Sequence, residues 1–310
     1  MLECVDSDGI IRIETDALEA AVRTRNYVTG IMAGSFVDKA TGARDLGWGL
    51  HIMDFLLAPG WRDDEYLHDA RVHGDLPKHM VEGPQICTRV PSLQYSITRG
   101  SEYVAVRQWF TFTEPGEGYR AGSRWEQTLL FLADTPYVLS CETITCVNDM
   151  PNVFYRIDMP GHVKHQGGDT FRRIYLSYHG VIPAAEFRSD FPPDGRLLYV
   201  RQGDAVPERF IRAYEVPGAD GRRTRWLAGM TLDPAAPCEA WCHQRGYVCF
   251  IQENHGRPVR RGETIGAAYL IGYFDGVEEM QKAYDKFKGV RHVAVTRKGY
   301  ALETEIPQKA

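Results

Sequence analysis

The chain is a succession of short β-rich runs separated by turn residues, and only one stretch carries a helical pattern. The runs fall at residues 10–14, 18–24, 95–98, 103–113, 123–131, 137–147, 154–159, 171–178, 209–216, 247–252 and 265–274. Several alternate with the two-residue period of a sheet that has one covered face. Over residues 104–113, Val104, Val106, Gln108, Phe110 and Phe112 share one face, and Arg107, Trp109, Thr111 and Thr113 share the other. Asp8-Gly9, Asp194-Gly195 and Asp220-Gly221 supply strong turns between runs. The run 276–288 places Val277, Met280, Ala283, Tyr284 and Phe287 at helical spacing and ends at Gly289. No βαβ pattern and no propeller-length repeat is present, which argues against Rossmann and barrel enzymes. We therefore expect an all-β chain, 1–310, forming one large antiparallel β-sandwich domain with one C-terminal amphipathic helix.

Composition narrows the function classes. A net charge of −5 with scattered basic residues offers no footprint for nucleic acid. The first residues lack a basic segment followed by an apolar run, and no apolar stretch approaches the ~20 residues of a membrane helix. Seven cysteines lack the even spacing of a disulfide scaffold. The Cys238/Cys242 pair has no second close pair to complete a zinc site. A reduced, cytoplasmic protein without nucleic-acid or membrane partners is the expectation, and a homo-oligomer is compatible with it. No GxSxG, Walker or HExxH pattern occurs, so no nucleotide or organic cofactor is expected.

Site-like residues gather where runs meet turns. Residues 154–169 carry Tyr155, Arg156, Asp158, His162, Lys164, His165 and Asp169 around Pro160-Gly161. His162 and His165 converge only if Pro160-Gly161 begins a turn, because positions i and i+3 of a regular strand point opposite ways. Residues 241–256 carry His243, Arg245, Glu253 and His255. Glu253 and His255, two apart on a strand, share a face and can share one ligand. With His162 they form a candidate set for one divalent metal ion. The stretch 57–84 has weak periodicity and holds His68, His73 and His79 with Glu82, as a functional loop would. Glu126, between Trp125 and Gln127 in a long run, is a candidate interior carboxylate, since burying one alone is costly. Trp61, Trp109 and Trp125 are candidate stacking platforms for sugar rings.

Two segments carry a family resemblance. Residues 18–47, with the turn Asp38-Lys39-Ala40-Thr41-Gly42, look like the first hairpin of galactose mutarotase-like β-supersandwich domains. Residues 123–149 resemble the central pair of long antiparallel strands of those domains. The resemblance implies a two-sheet supersandwich common among sugar epimerases, polysaccharide lyases and accessory domains of glycosidases. The histidine motifs of an aldose 1-epimerase are not recognisable in this chain, and fold alone does not give function.

The expectation is a carbohydrate-active enzyme that cleaves a glycosidic bond by elimination or hydrolysis, with a carbohydrate as its partner. Elimination needs a base for a C–H proton, an acid for the leaving oxygen and positive charge against a carboxylate. His162 or His165 is the candidate base, and Tyr155 or His79 the candidate acid. Arg156 or a metal on Glu253 and His255 is the candidate neutraliser. Hydrolysis would draw two carboxylates from Glu126, Glu253, Asp158 and Glu82. Lys164, Trp109, Arg245 and His243 complete the expected substrate contacts. The alternatives are a sugar epimerase or mutarotase and a non-catalytic carbohydrate-binding module.

Overall fold

The structure, a computed structural model, describes the chain except for residues 1, 29, 46, 61–76, 166–169, 188–196, 245–246 and 309–310. Backbone alone is described at 47–50, 52, 164, 184, 187, 243–244 and 247.

The strands assemble into a two-sheet antiparallel sandwich. The eight-stranded sheet is built around β1 (Gly47–Pro59), β2 (Lys78–Gly83), β6 (Met150–Lys164), β9 (Pro237–Gln244) and β10 (Tyr247–Val259), in the order β2-β1-β6-β10-β9. The nine-stranded sheet contains β3 (Tyr103–Thr111), β4 (Arg124–Leu132), β5 (Tyr137–Thr145), β7 (Ile211–Pro217), β8 (Thr224–Thr231) and β11 (Thr264–Phe274), in the order β7-β8-β11-β5-β4-β3. A four-stranded N-terminal sheet and a C-terminal hairpin, His292–Thr296 with Gly299–Glu303, complete the described strands. Strand alternation sorts the side chains into layers. Tyr155, Ile157 and Met159 of β6 meet Val106, Leu129, Ile265 and Tyr269 between the sheets. The outer face of the nine-stranded sheet buries Ala105, Leu139, Ala228 and Leu270 beneath α2 (Val277–Phe287), whose Met280, Tyr284 and Phe287 are the buried stripe. That helix lies within the 276–288 expected from the periodicity. A four-residue helix, α1 (Ile86–Arg89), precedes the nine-stranded sheet. Of the stretch 57–84, Leu57–Pro59 ends β1 and Lys78–Gly83 is β2, and 61–76 lies outside the described residues.

A polar seam runs through the inter-sheet core. The Gln108 amide donates to Gln127, and Gln127 donates to Glu142 at 2.9 Å. His51 Nε2 lies 3.6 Å from Glu142 Oε1, with the Tyr269 ring edge-on at 4.8 Å. Asn254 donates to the Tyr269 hydroxyl and accepts from Gln252, which in turn accepts from Arg212 at 2.7 Å. Burial pushes Glu142 up to about 8 and His51 down to about 3, so the pair is neutral at ordinary pH. The consequence for stability has a definite sign. Between the ordinary carboxyl value of 4.5 and about 8, the unfolded chain has released the Glu142 proton while the folded chain keeps it. Glu142 therefore makes the fold lose stability as pH rises through that window. Glu142→Gln should gain on the parent protein as urea midpoints are measured from pH 5 to pH 8. A difference that does not vary with pH would contradict a protonated Glu142.

Candidate functional site

The central strand β6 contains the irregularity that makes the site. On its β10 edge, Asp158 pairs with Ile251 and His162 with Cys249, so three residues of β6 oppose one of β10. On its β1 edge, Asp158 faces Ile52 and Gly161 faces Leu50. In a regular strand, residues i and i+4 share a face about 13 Å apart. Here the bulge at Met159-Pro160-Gly161 brings Asp158 Oδ2 to 2.7 Å from His162 Nε2.

Proline and glycine allow the bulge, and the facing sheet holds it. Pro160 has no N–H to leave unpaired, and Gly161 takes φ +144°, which a side chain would disfavour. The displaced carbonyls turn into the sandwich. Arg212, fully buried on β7, donates to Met159 O, Phe250 O, Ile251 O and the Gln252 side chain. The Tyr214 hydroxyl is 2.9 Å from both Gly161 O and Val248 O. Gly229 of β8 provides the room, because a Cβ there would lie 2.7 Å from Pro160 N and 2.8 Å from Met159 Cγ. Gly229→Ala should thus cost about 1–3 kcal/mol by urea unfolding, as overpacking does. A neutral effect would mean that the bulge moves freely.

Asp158 and His162 stand on the face of the eight-stranded sheet that looks away from the core. Asp54 of β1 joins them there and accepts from Gln85 Nε2 at 2.8 Å and from Cys87 Sγ at 3.4 Å. Burial, then the nearby Asp158 charge, pushes Asp54 up to about 6. Burial alone would lower His162, but the Asp158 charge and hydrogen bond outweigh it and hold the imidazole above its ordinary value. Tyr27 is half-buried, and burial with the charges of Cys87, Asp158, Asp54 and Cys249 pushes its phenol well up, which keeps it protonated. Cys249 places its sulfur within 4.8 Å of ligand atoms of both Asp158 and His162. The His162 side chain is 17% exposed and that of Asp158 4%. Tyr27 and His162 are thus the partly exposed members of the cluster.

A ladder of buried charges borders the cluster. Lys78 Nζ lies 2.6 Å from Glu239 and 2.9 Å from Glu253, and Arg156 Nη2 is 2.7 Å from the other Glu253 oxygen. Burial would lower Lys78, but the charges of Glu253 and Glu239 overcome it. Phe154 and Trp241 pack under the Lys78 and Arg156 cations at 5.2 and 5.4 Å.

Of the residues expected from sequence, His162, Asp158 and Arg156 enter this region, and Glu253 is held beside it on the ladder. His165 does not converge with His162. It is fully buried and stacks on Phe171 at 3.9 Å, because the residues that bulge resume the strand instead of turning. Tyr155 faces the inter-sheet core, where its hydroxyl is 3.3 Å from that of Tyr269. His79 is buried with Nδ1 3.0 Å from Gly60 O. Glu126 and Trp109 belong to the other sheet. Arg107 and Arg124 pair with Glu126 at 2.7 and 2.9 Å and lie over the Trp109 ring. Glu253 and His255 do not assemble a metal set: Lys78 and Arg156 occupy the glutamate, and His255 Nε2 lies 3.4 Å from Pro258 O. Arg245, Trp61, His68, His73 and Asp169 lie outside the described residues, as do the side chains of Lys164 and His243. Tyr27 and Asp54 were not anticipated. Asp54 carried a usable signal, a lone carboxylate in the apolar strand around Phe55-Leu56-Leu57.

The chain matches no family model and no curated protein. It is similar to a solved structure of a protein proposed to be an aldose 1-epimerase, from Klebsiella pneumoniae. Identity is 6%, 92% of this chain and 86% of that one are covered, and the TM-score is 0.50. A galactose mutarotase-like protein from Clostridium acetobutylicum gives 9% identity, 89% and 99% coverage and a TM-score of 0.50. The chain has a galactose mutarotase-like β-sandwich fold. A 4-alpha-glucanotransferase from Thermococcus litoralis matches at 9% identity and a TM-score of 0.42 over 89% of this chain, which spans 40% of that protein.

Proposed function

We propose that the chain is a carbohydrate-active enzyme that cleaves a glycosidic bond next to a uronate by β-elimination. The observation that carries this reading is the gathering of Asp54, Tyr27, Asp158 and His162 on one face of the bulged central strand. Asp54, poised near neutrality, takes the proton on the carbon beside the sugar's carboxylate. That C–H electron pair becomes a C=C double bond as the neighbouring carbon–oxygen bond breaks. Tyr27 protonates the departing oxygen, and the proton on Asp54 returns to the Tyr27 phenolate through solvent, with no water consumed. The third requirement is positive charge against the sugar's carboxylate. The Arg156 and Lys78 cations border this face, and Asp158 holds the His162 imidazole above its ordinary value.

A second reading is favoured by the fold, which is shared with a protein proposed to be an aldose 1-epimerase. The same acid and base could open and reclose a sugar ring without cleaving a glycoside. Incubation with uronate-containing oligosaccharides separates the readings. Short-wavelength ultraviolet absorbance from an unsaturated product is expected. New reducing ends without absorbance would replace elimination by hydrolysis. Faster equilibration of free aldose anomers, with no cleavage, would replace it by epimerisation.

A further inference from the structure

We propose that Asp158, His162 and Cys249 hold a divalent metal ion of the zinc class, and that this ion supplies the positive charge needed for elimination. The site stands on geometry alone, whereas its role rests on the function proposed above. Asp158 and His162 reach the same place through the β6 bulge, and Cys249 is the residue of β10 directly across from His162. One ligand atom from each lies within 4.8 Å of the others, and among the described residues this is the one group of three that meets.

A second observation points to a missing partner. The side chain of Asp158 is 4% exposed, and its Oδ1 is buried with no hydrogen-bond partner among the described residues, although Oδ2 is held by His162. A buried carboxylate oxygen left without a donor is costly. An ion seated between His162 and Cys249 would satisfy it. It would also relieve the repulsion between Asp54 and Asp158, two buried carboxyls on one face.

Donor chemistry selects the metal. Thiolate, imidazole and carboxylate together suit zinc rather than magnesium or calcium. Three protein ligands leave a fourth position, the pattern of a catalytic zinc. Zinc ligand bonds of about 2.0–2.3 Å put ligand atoms about 3.3–3.8 Å apart, so Asp158 and His162, 2.7 Å apart, separate slightly, and Cys249, within 4.8 Å of both, closes by at most about 1.5 Å. Cys249 releases its thiol proton to solvent when it binds. With the ion in place, His162 is a ligand and the sugar's carboxylate meets the metal, while Asp54 and Tyr27 keep the proton transfers.

Cobalt(II) titration of the chelator-treated, dialysed full chain tests the site without any sugar. One equivalent should produce visible d–d bands and a near-ultraviolet thiolate-to-cobalt band. Cys249→Ser should abolish the near-ultraviolet band, with Cys249→Ala as a second variant and far-ultraviolet circular dichroism reporting the fold. Asp158→Asn and His162→Gln should each weaken cobalt binding at least ~10-fold. No bands at excess cobalt, or a thiolate band that survives both Cys249 variants, would overturn the site. The role is tested separately with a uronate oligosaccharide. Turnover should vanish on chelation and return with zinc. Cobalt binding with turnover indifferent to chelation would overturn the role but leave the elimination reading. Cobalt binding with no turnover, loaded or chelated, would overturn the role and that reading together and leave the site standing.

Discussion

Glu253→Leu is expected to destabilise the fold by about 3–5 kcal/mol, the loss typical when one partner of a buried ion pair is removed. Glu253 is fully buried and meets two cations at once, Lys78 at 2.9 Å and Arg156 at 2.7 Å. Without it, these two buried cations are left with the Glu239 carboxylate, 2.6 Å from Lys78, on the same ladder. The size of the effect comes from that imbalance and not from the attraction lost. Lys78→Met added to Glu253→Leu returns the group to one cation and one carboxylate, and should recover part of the stability. A contrasting pair makes the point about burial. Lys39 and Glu14 are also 2.8 Å apart, but their side chains are 28% and 43% exposed, so Glu14→Gln should cost under about 1 kcal/mol. Urea midpoints of the parent protein and these three variants decide the matter. A Glu253→Leu loss as small as that of Glu14→Gln would mean that water reaches the ladder.

The sandwich was legible in the sequence because strand periodicity is a local signal. The run containing Val104, Val106 and Gln108 divides between core and outer face as its alternation required, and α2 occupies the one helical pattern. The site was less legible, for a physical reason that β6 illustrates. Pro160-Gly161 reads as a turn, and a turn would have brought His162 and His165 together. What keeps the strand going is Arg212, 50 positions or more along the chain, whose guanidinium takes up the carbonyls displaced by the bulge. Nothing local announces that acceptor set. As a result, the partner of His162 is Asp158, four residues back, with Cys249 of another strand across from it. Glu253 stood out in the sequence as a strand-end carboxylate, but a cation that neutralises it, Lys78, comes from β2, which no periodicity in residues 57–84 revealed.

Asp54→Asn and Tyr27→Phe should each lower turnover of a uronate oligosaccharide by about 10²–10⁴-fold while leaving the fold intact, the range for a lost general base or acid. Both substitutions keep shape and remove a proton-transfer group. The asparagine can still accept from Gln85 and Cys87 through its carbonyl oxygen. Stability should even rise slightly above pH 6. Asp54 is pushed up to about 6, so the folded state loses stability as pH rises from the ordinary carboxyl value to that point, and asparagine carries no such cost. The losses should therefore appear in kcat more than in KM, since the groups act on protons that move in the transition state. Glu126→Gln is the matched control: it also removes a buried carboxylate, but one paired with Arg107 and Arg124 on the other sheet, and its turnover should stay near that of the parent protein. Full activity in both Asp54→Asn and Tyr27→Phe would remove the bulged face of β6 from the chemistry, whichever bond of the sugar is broken.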